Sequence, residues 1–264
     1  VPADVDDSYV LAYALKVLRA GAPIAYISHT FGNTDFASGA FTVFALMTSL
    51  GWNHSSCDDT VRWVHHLGTV VTLPMGSAQT PAFTAYSNQQ YVLTPSLSMG
   101  TTFELQQTWR FACVNAVVVG MRDRLRTLRG ATIVATGPLQ DVACLFTVFP
   151  EVRERVSRVH ILAGRLGRTS LSLSDGERSV NGLTDFNIRV NPYAAQLLIE
   201  QALPGQLFFF PFGLTSDFET SIAISEMPTE ANPFVYEASA MRAEWYERVL
   251  GFGQRIWPWD MYPF

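Results

Sequence analysis

The chain holds 264 residues with a formal net charge of −5; 48% are hydrophobic and 16% charged. That apolar content suits a core buried on both faces of a sheet and excludes disorder over most of the length. No run of Lys or Arg offers a basic stripe to a nucleic acid, and no apolar run approaches the roughly 20 residues of a membrane span.

In chain order, residues 6–19 show a helical period, with Val10, Leu11, Ala14, Leu15 and Leu18 on one face. Asp4, Asp6 and Asp7 stand at its start. Carboxylates there cap a helix and complement its dipole. Crowded together they also repel, unless water, a donor group or a cation neutralises them, and hard cations favour such oxygen clusters. Residues 24–28 read as a strand running into Thr30-Phe-Gly-Asn-Thr-Asp35, with Asn33 in the turn, and 37–50 as a helix. A short strand at 70–73 precedes a turn-rich stretch to residue 101.

A long helix is predicted over 104–126, and the basic residues from Arg122 to Arg129 read as its exposed end. The β-branched run 132–135 is a strand, broken sharply at Thr136-Gly-Pro138, where exposed backbone carbonyls suit a metal. A helix over 139–148 and a strand over 159–163 follow. Asp185 and Asn187 alternate with Phe186 and Ile188, so in extended geometry the two polar side chains share a face. A carboxylate beside an amide suits the hydroxyls of a sugar, which both donate and accept. Residues 192–202 are a helix with Pro at its start, and 207–210 a last strand.

This alternation predicts an α/β fold in a single domain over 1–264, a mainly parallel central sheet with helices on both faces. Ligands of such sheets bind at the carboxyl ends of the strands, which points to the loops 30–35, 136–141, 164–187 and 211–217. Cys57, Cys113 and Cys144 are odd in number and widely spaced, and match neither a zinc spacing nor a disulfide framework. Cys113 and Cys144 read as core residues and Cys57 as a loop residue, so a reducing, cytoplasmic location is expected, with a secreted form left open.

Taken together, the acidic start, Gly32-Asn33, Ala135-Thr-Gly-Pro-Leu-Gln-Asp-Val-Ala143 and Asp185-Phe-Asn-Ile with Asn191-Pro resemble the inosine/uridine-preferring nucleoside hydrolases in order and spacing, most of all their fungal branch. The third block is similar to the family's Gly-Pro-Leu-Thr-Asn, the fourth to its Glu-Phe-Asn-Ile. The resemblance implies a Rossmann-like sheet and hydrolysis of a ribonucleoside's N-glycosidic bond by a calcium-bound water, with an aspartate taking the proton. It places Asp7, the Thr136 carbonyl and Asp260 on the calcium, Asp6 on a ribose hydroxyl, and Asn33, Asn181, Asp185 and Asn187 on the sugar. The implied partner is a small nucleoside, neither nucleic acid nor membrane, and family members are often homo-oligomers.

The pattern departs from the family in three places. Aligned on Asp6-Asp7, the second aspartate of the family's Asp-Thr-Asp-Pro-Gly-x-Asp-Asp motif falls on Pro2, and its first strand has no counterpart. Asp4 is then the nearest replacement for the proton acceptor, with Asp6 beside it. Trp259 stands where relatives carry a histidine, and an aromatic there can stack on the base. No His-Gly-x-x-Gly-Leu loop is recognisable between Gly76 and Gly100. A working hydrolase and a non-catalytic nucleoside- or sugar-binding protein of the same fold therefore both remain open, with altered lyase or cyclase chemistry in a specialised pathway as a third reading.

Overall fold

A computed structural model of the chain describes residues 5–16, 26–28, 62–63, 113, 116–164, 185–189, 192–211, 221–226, 240, 255–256, 261 and 263. Helix α1 spans Val5–Lys16, as the apolar spacing predicts. Strand β1, Tyr26–Ile27, pairs in parallel with β2, Arg62–Trp63. The predicted helix at 37–50 and strand at 70–73 lie outside the described residues.

Helix α2, Ala116–Arg126, carries Arg124 and Arg126 in its last turn, where cations meet the negative end of the helix dipole. Arg126 Nη2 lies 2.6 Å from Glu151 Oε1 across the surface. The basic run is thus a solvated helix end. Gly130, at φ 70°, turns the chain in a left-handed conformation that costs glycine little. Strand β3, Ala131–Ala135, follows, with the β-branched Thr-Ile-Val run at its centre. Helix α3, Gln140–Val148, and a 3-10 segment, Pro150–Arg155, lead into β4, Val156–Leu162.

A short helix α4, Phe186–Arg189, then α5, Pro192–Gln201, bring the chain to β5, Leu207–Phe210. Strands β3, β4 and β5 form a parallel ladder in that order, the α/β arrangement that the alternation predicts. Two further strands, β6 (Ile222–Ala223) and β7 (Arg255–Ile256), pair antiparallel elsewhere.

Strand β4 begins three residues earlier than its apolar run, and Gln206 supplies a reason. Its side chain is buried, donates from Nε2 to the carbonyls of Arg153 and Val156, and accepts from Leu203 N–H at Oε1. The polar groups at the entry to β4 and β5 are thereby satisfied inside the protein.

Helix α3 is buried from Gln140 to Phe146, packed against α2 and α5. Leu145 and Phe146 are fully buried there, each contributing roughly 1.5–3 kcal/mol of transfer free energy. Along β4, Val159 and Ile161 join this core, while His160 points to the other face. Its ring meets Phe208 and Phe210 of β5, and its Nδ1 hydrogen-bonds the Pro263 carbonyl. Pro263 therefore reaches the sheet at His160.

Cys113 and Cys144 are core residues, each fully buried, but they are also joined as a disulfide, with Cα atoms 5.0 Å apart. This corrects the reading of the cysteines as unpaired. Spacing alone does not reveal the pair because α2 and β3 intervene between the two positions and only folding brings α3 back. The cross-link closes a loop of 31 residues, a size for which the chain-entropy model gives about 3–4 kcal/mol. Reduction, or Cys113→Ala with Cys144→Ala, is expected to lower stability by that order, read as the urea midpoint with and without reductant. Alkylation of the denatured, unreduced protein should modify only Cys57; labelling of all three cysteines would refute the pairing.

Candidate functional site

Thr136 and Asn187, two positions assigned separately from sequence, meet at the carboxyl end of the sheet. Asn187 Nδ2 donates to the carbonyls of Thr136, just past β3, and Leu162, the last residue of β4, each at 2.8 Å. The side chain is buried and spends both amide hydrogens in tying two adjacent strand ends together. Its Oδ1 remains to accept from a ligand hydroxyl.

The extended geometry read from the Asp185/Asn187 alternation does not hold. Residues 186–189 are helical, and the buried Asp185 accepts the Ile188 N–H at Oδ1, 3.1 Å away, as a residue preceding a helix does. Four alternating residues fit one helical turn as well as a strand; the acid three residues ahead of Ile188 is the cue for the turn. The corrected geometry keeps Asn187 on the Thr136 carbonyl, with Asp185 two residues before it.

Asp6 and Asp7 fall in the first turns of α1, and their side chains lie outside the described atoms. Asp4, Asn33, Asn181, Trp259 and Asp260 lie outside the described residues altogether. Among the described residues, no group of three or more His, Cys, Asp or Glu side chains forms a metal cluster.

Asp141 is a residue that the sequence reading passes over. It lies in the first turn of α3, five residues beyond Thr136, only 4% exposed, and neither carboxylate oxygen has a hydrogen-bond partner among the described residues. Burial pushes its carboxyl up to about 7. Its charge is felt at Tyr26 on β1, whose phenol is raised first by burial and second by Asp141. The available signal is the acid at the place of the amide in Gly-Pro-Leu-Thr-Asn. The oxygens described here, a strand-end carbonyl and a buried carboxylate without a protein partner, are of the type that a hard cation takes.

The family model described as inosine-uridine preferring nucleoside hydrolase matches residues 2–262. An uncharacterized protein of Schizosaccharomyces pombe is 30% identical over 46% of this chain and 35% of its own length. The non-specific ribonucleoside hydrolase RihC of Salmonella schwarzengrund is 30% identical over 62% of this chain and 53% of its own. The chain thus spans about a third to a half of the length of these curated relatives. In fold it is similar to a plant nucleoside hydrolase, with TM-score 0.60, 15% identity and coverage of 98% of this chain and 74% of the other. It is also similar to the purine-preferring ribonucleoside hydrolase from Gardnerella vaginalis, with TM-score 0.61, 17% identity and coverage of 100% and 76%. With the family model spanning nearly every residue and the Thr136–Asn187 contact at the strand ends, the chain belongs to the inosine-uridine preferring nucleoside hydrolase family.

Proposed function

We propose that the chain hydrolyses the N-glycosidic bond of a ribonucleoside, releasing ribose and free base, within a single domain and with calcium as its metal. The observation that carries this reading is the 2.8 Å bond from Asn187 to the Thr136 carbonyl. It joins the position that the resemblance assigns to the sugar to the one that it assigns to the metal, across 51 residues of sequence.

Calcium, when bound, supplies Lewis acidity that makes a water more acidic and orients vicinal hydroxyls. The Thr136 carbonyl, Asp7 and Asp260 would hold it. Asn187 Oδ1 accepts a ribose hydroxyl, its own orientation fixed by the two strand-end carbonyls. Asp6, Asn33, Asn181 and Asp185 complete the sugar's polar contacts. Asp4 or Asp6 accepts the proton of the attacking water, and the site's carboxylates offset positive charge developing on the sugar as the base departs. Trp259 stacks on that base.

The buried disulfide supports the secreted alternative over a reducing location. Pro2, at the position of a family aspartate, keeps the non-catalytic binding reading as the competitor. Reducing-sugar release from a panel of nucleosides decides between them. Wild type is expected to release ribose in a calcium-dependent, chelator-sensitive way, and Asp7→Ala to lose at least tenfold in kcat/KM, about 1.4 kcal/mol or more of transition-state stabilisation. Equal inactivity of wild type and Asp7→Ala, with nucleoside binding retained, would instead establish the binding protein.

A further inference from the structure

Strand β1 pairs with β2, and β3 with β4, while no described strand joins β1 to β3. Tyr26 of β1 nonetheless packs on the same core as Ile133 and Ala135 of β3. Tyr26 and β3 thus share one core, and open α/β sheets bind their ligands at the carboxyl ends of such strands.

Asp141 is buried in the helix that follows β3. It starts α3 just beyond the carboxyl end of β3, and it is close enough to Tyr26 of β1 to act on that phenol. Its surroundings are closed to solvent, yet neither oxygen accepts a hydrogen bond. Nor does it cap its own helix, whose N-cap position makes no side-chain bond. A buried carboxylate without a partner is costly, and proteins resolve the cost by protonation, by pairing or by coordinating a metal. Pairing is absent. Of the remaining two, its place five residues beyond Thr136, just past the ligand-binding end of β3, favours coordination.

We propose that Asp141 is a further cation-binding carboxylate of this site, taking a divalent ion of calcium size on the turn that carries Thr136. The inference rests on the hydrolase reading for the identity of the ion. Permanent protonation of Asp141, as a neutral mimic of an amide, is the competing outcome.

Calcium calorimetry at pH 8 on the full chain, as wild type, Asp141→Asn and Asp7→Ala, tests it. Wild type is expected to bind calcium. Asp141→Asn is expected to bind at least tenfold more weakly, while its melting temperature in chelator is no lower than that of wild type. Binding by Asp141→Asn within twofold of wild type overturns the proposal and leaves protonation as the answer. If Asp7→Ala weakens calcium binding and Asp141→Asn does not, the hydrolase reading keeps its metal and Asp141 is excluded from it. Absence of calcium binding by wild type at millimolar concentration also overturns the proposal, and ribose release measured in chelator then judges the hydrolase reading separately. Should Asp141→Asn fail to give the far-ultraviolet spectrum of the folded protein, Asp141→Ser is held to the same tenfold criterion.

Discussion

Calcium-free protein is expected to lose stability as pH rises from 5 to 8, and Asp141→Asn to remove most of that loss. The physical cause is the desolvated carboxyl of Asp141, pushed from its ordinary 3.8 to about 7. Between those two values the folded chain holds a proton that the unfolded chain has released. Stability therefore falls with rising pH through this window and levels off above about 7. Below the ordinary carboxyl value both states are protonated and the penalty is absent. A displacement of that size corresponds to about 4 kcal/mol as an upper figure.

Tyr26 adds nothing to the slope, because burial and the neighbouring acid both raise its phenol and keep it neutral throughout. The other carboxylates titrate in wild type and variant alike, so the difference between the two isolates Asp141. Urea unfolding in chelator at pH 5, 6, 7 and 8 reads it directly. Parallel curves for wild type and Asp141→Asn would show that the carboxyl is not buried alone. Asparagine keeps the shape and stays neutral, so at pH 8 the variant is expected to be the more stable protein.

Elements with a strong local pattern were legible in advance. The β-branched run of β3, the apolar run of β5 and the proline that opens α5 each specify their element within a residue or two. Strands of two residues, such as β2, β6 and β7, carry no periodicity, and their pairing depends on distant partners. The Cys113–Cys144 bridge is likewise a property of how α3 returns across the core, and no spacing rule reads it.

The site divides in the same way. Thr136 and Asn187 could be singled out as candidates because a strand-end break and a polar pair are local features. The specific contact between them is tertiary. Asp141 escaped because an acid in the first turn of a helix reads as ordinary dipole compensation; only its burial without a partner marks it.

Asn187→Asp is expected to be the most damaging single exchange at the strand ends, in stability and activity together. The native amide points two N–H groups at two carbonyls, Thr136 and Leu162. An ionised aspartate of the same shape would aim lone pairs at both, in a buried position. Losing a donor to a buried acceptor costs about 1–3 kcal/mol, so the two bonds together set a loss of about 2–6 kcal/mol. Protonation of the new carboxyl would recover one donor, and the variant should regain part of its stability on acidification.

Activity should fall further than stability requires. The same two bonds fix the orientation of Oδ1 and of the Thr136 carbonyl, so on the proposed hydrolase reading kcat/KM is expected to drop by about a hundredfold or more under conditions where the variant remains folded, a loss of about 2.7 kcal/mol. Asn187→Ala separates the contributions. It also lacks the donors but brings no opposing charge, so its stability should lie between the other two at pH 8 and lack the acid recovery. Urea unfolding at pH 5 and 8 and ribose release at a temperature well below both melting points supply the readouts. An aspartate variant as stable as wild type at pH 8 would mean that Asn187 does not bridge β3 to β4, and the proposed sugar and metal positions would then lose the contact that joins them.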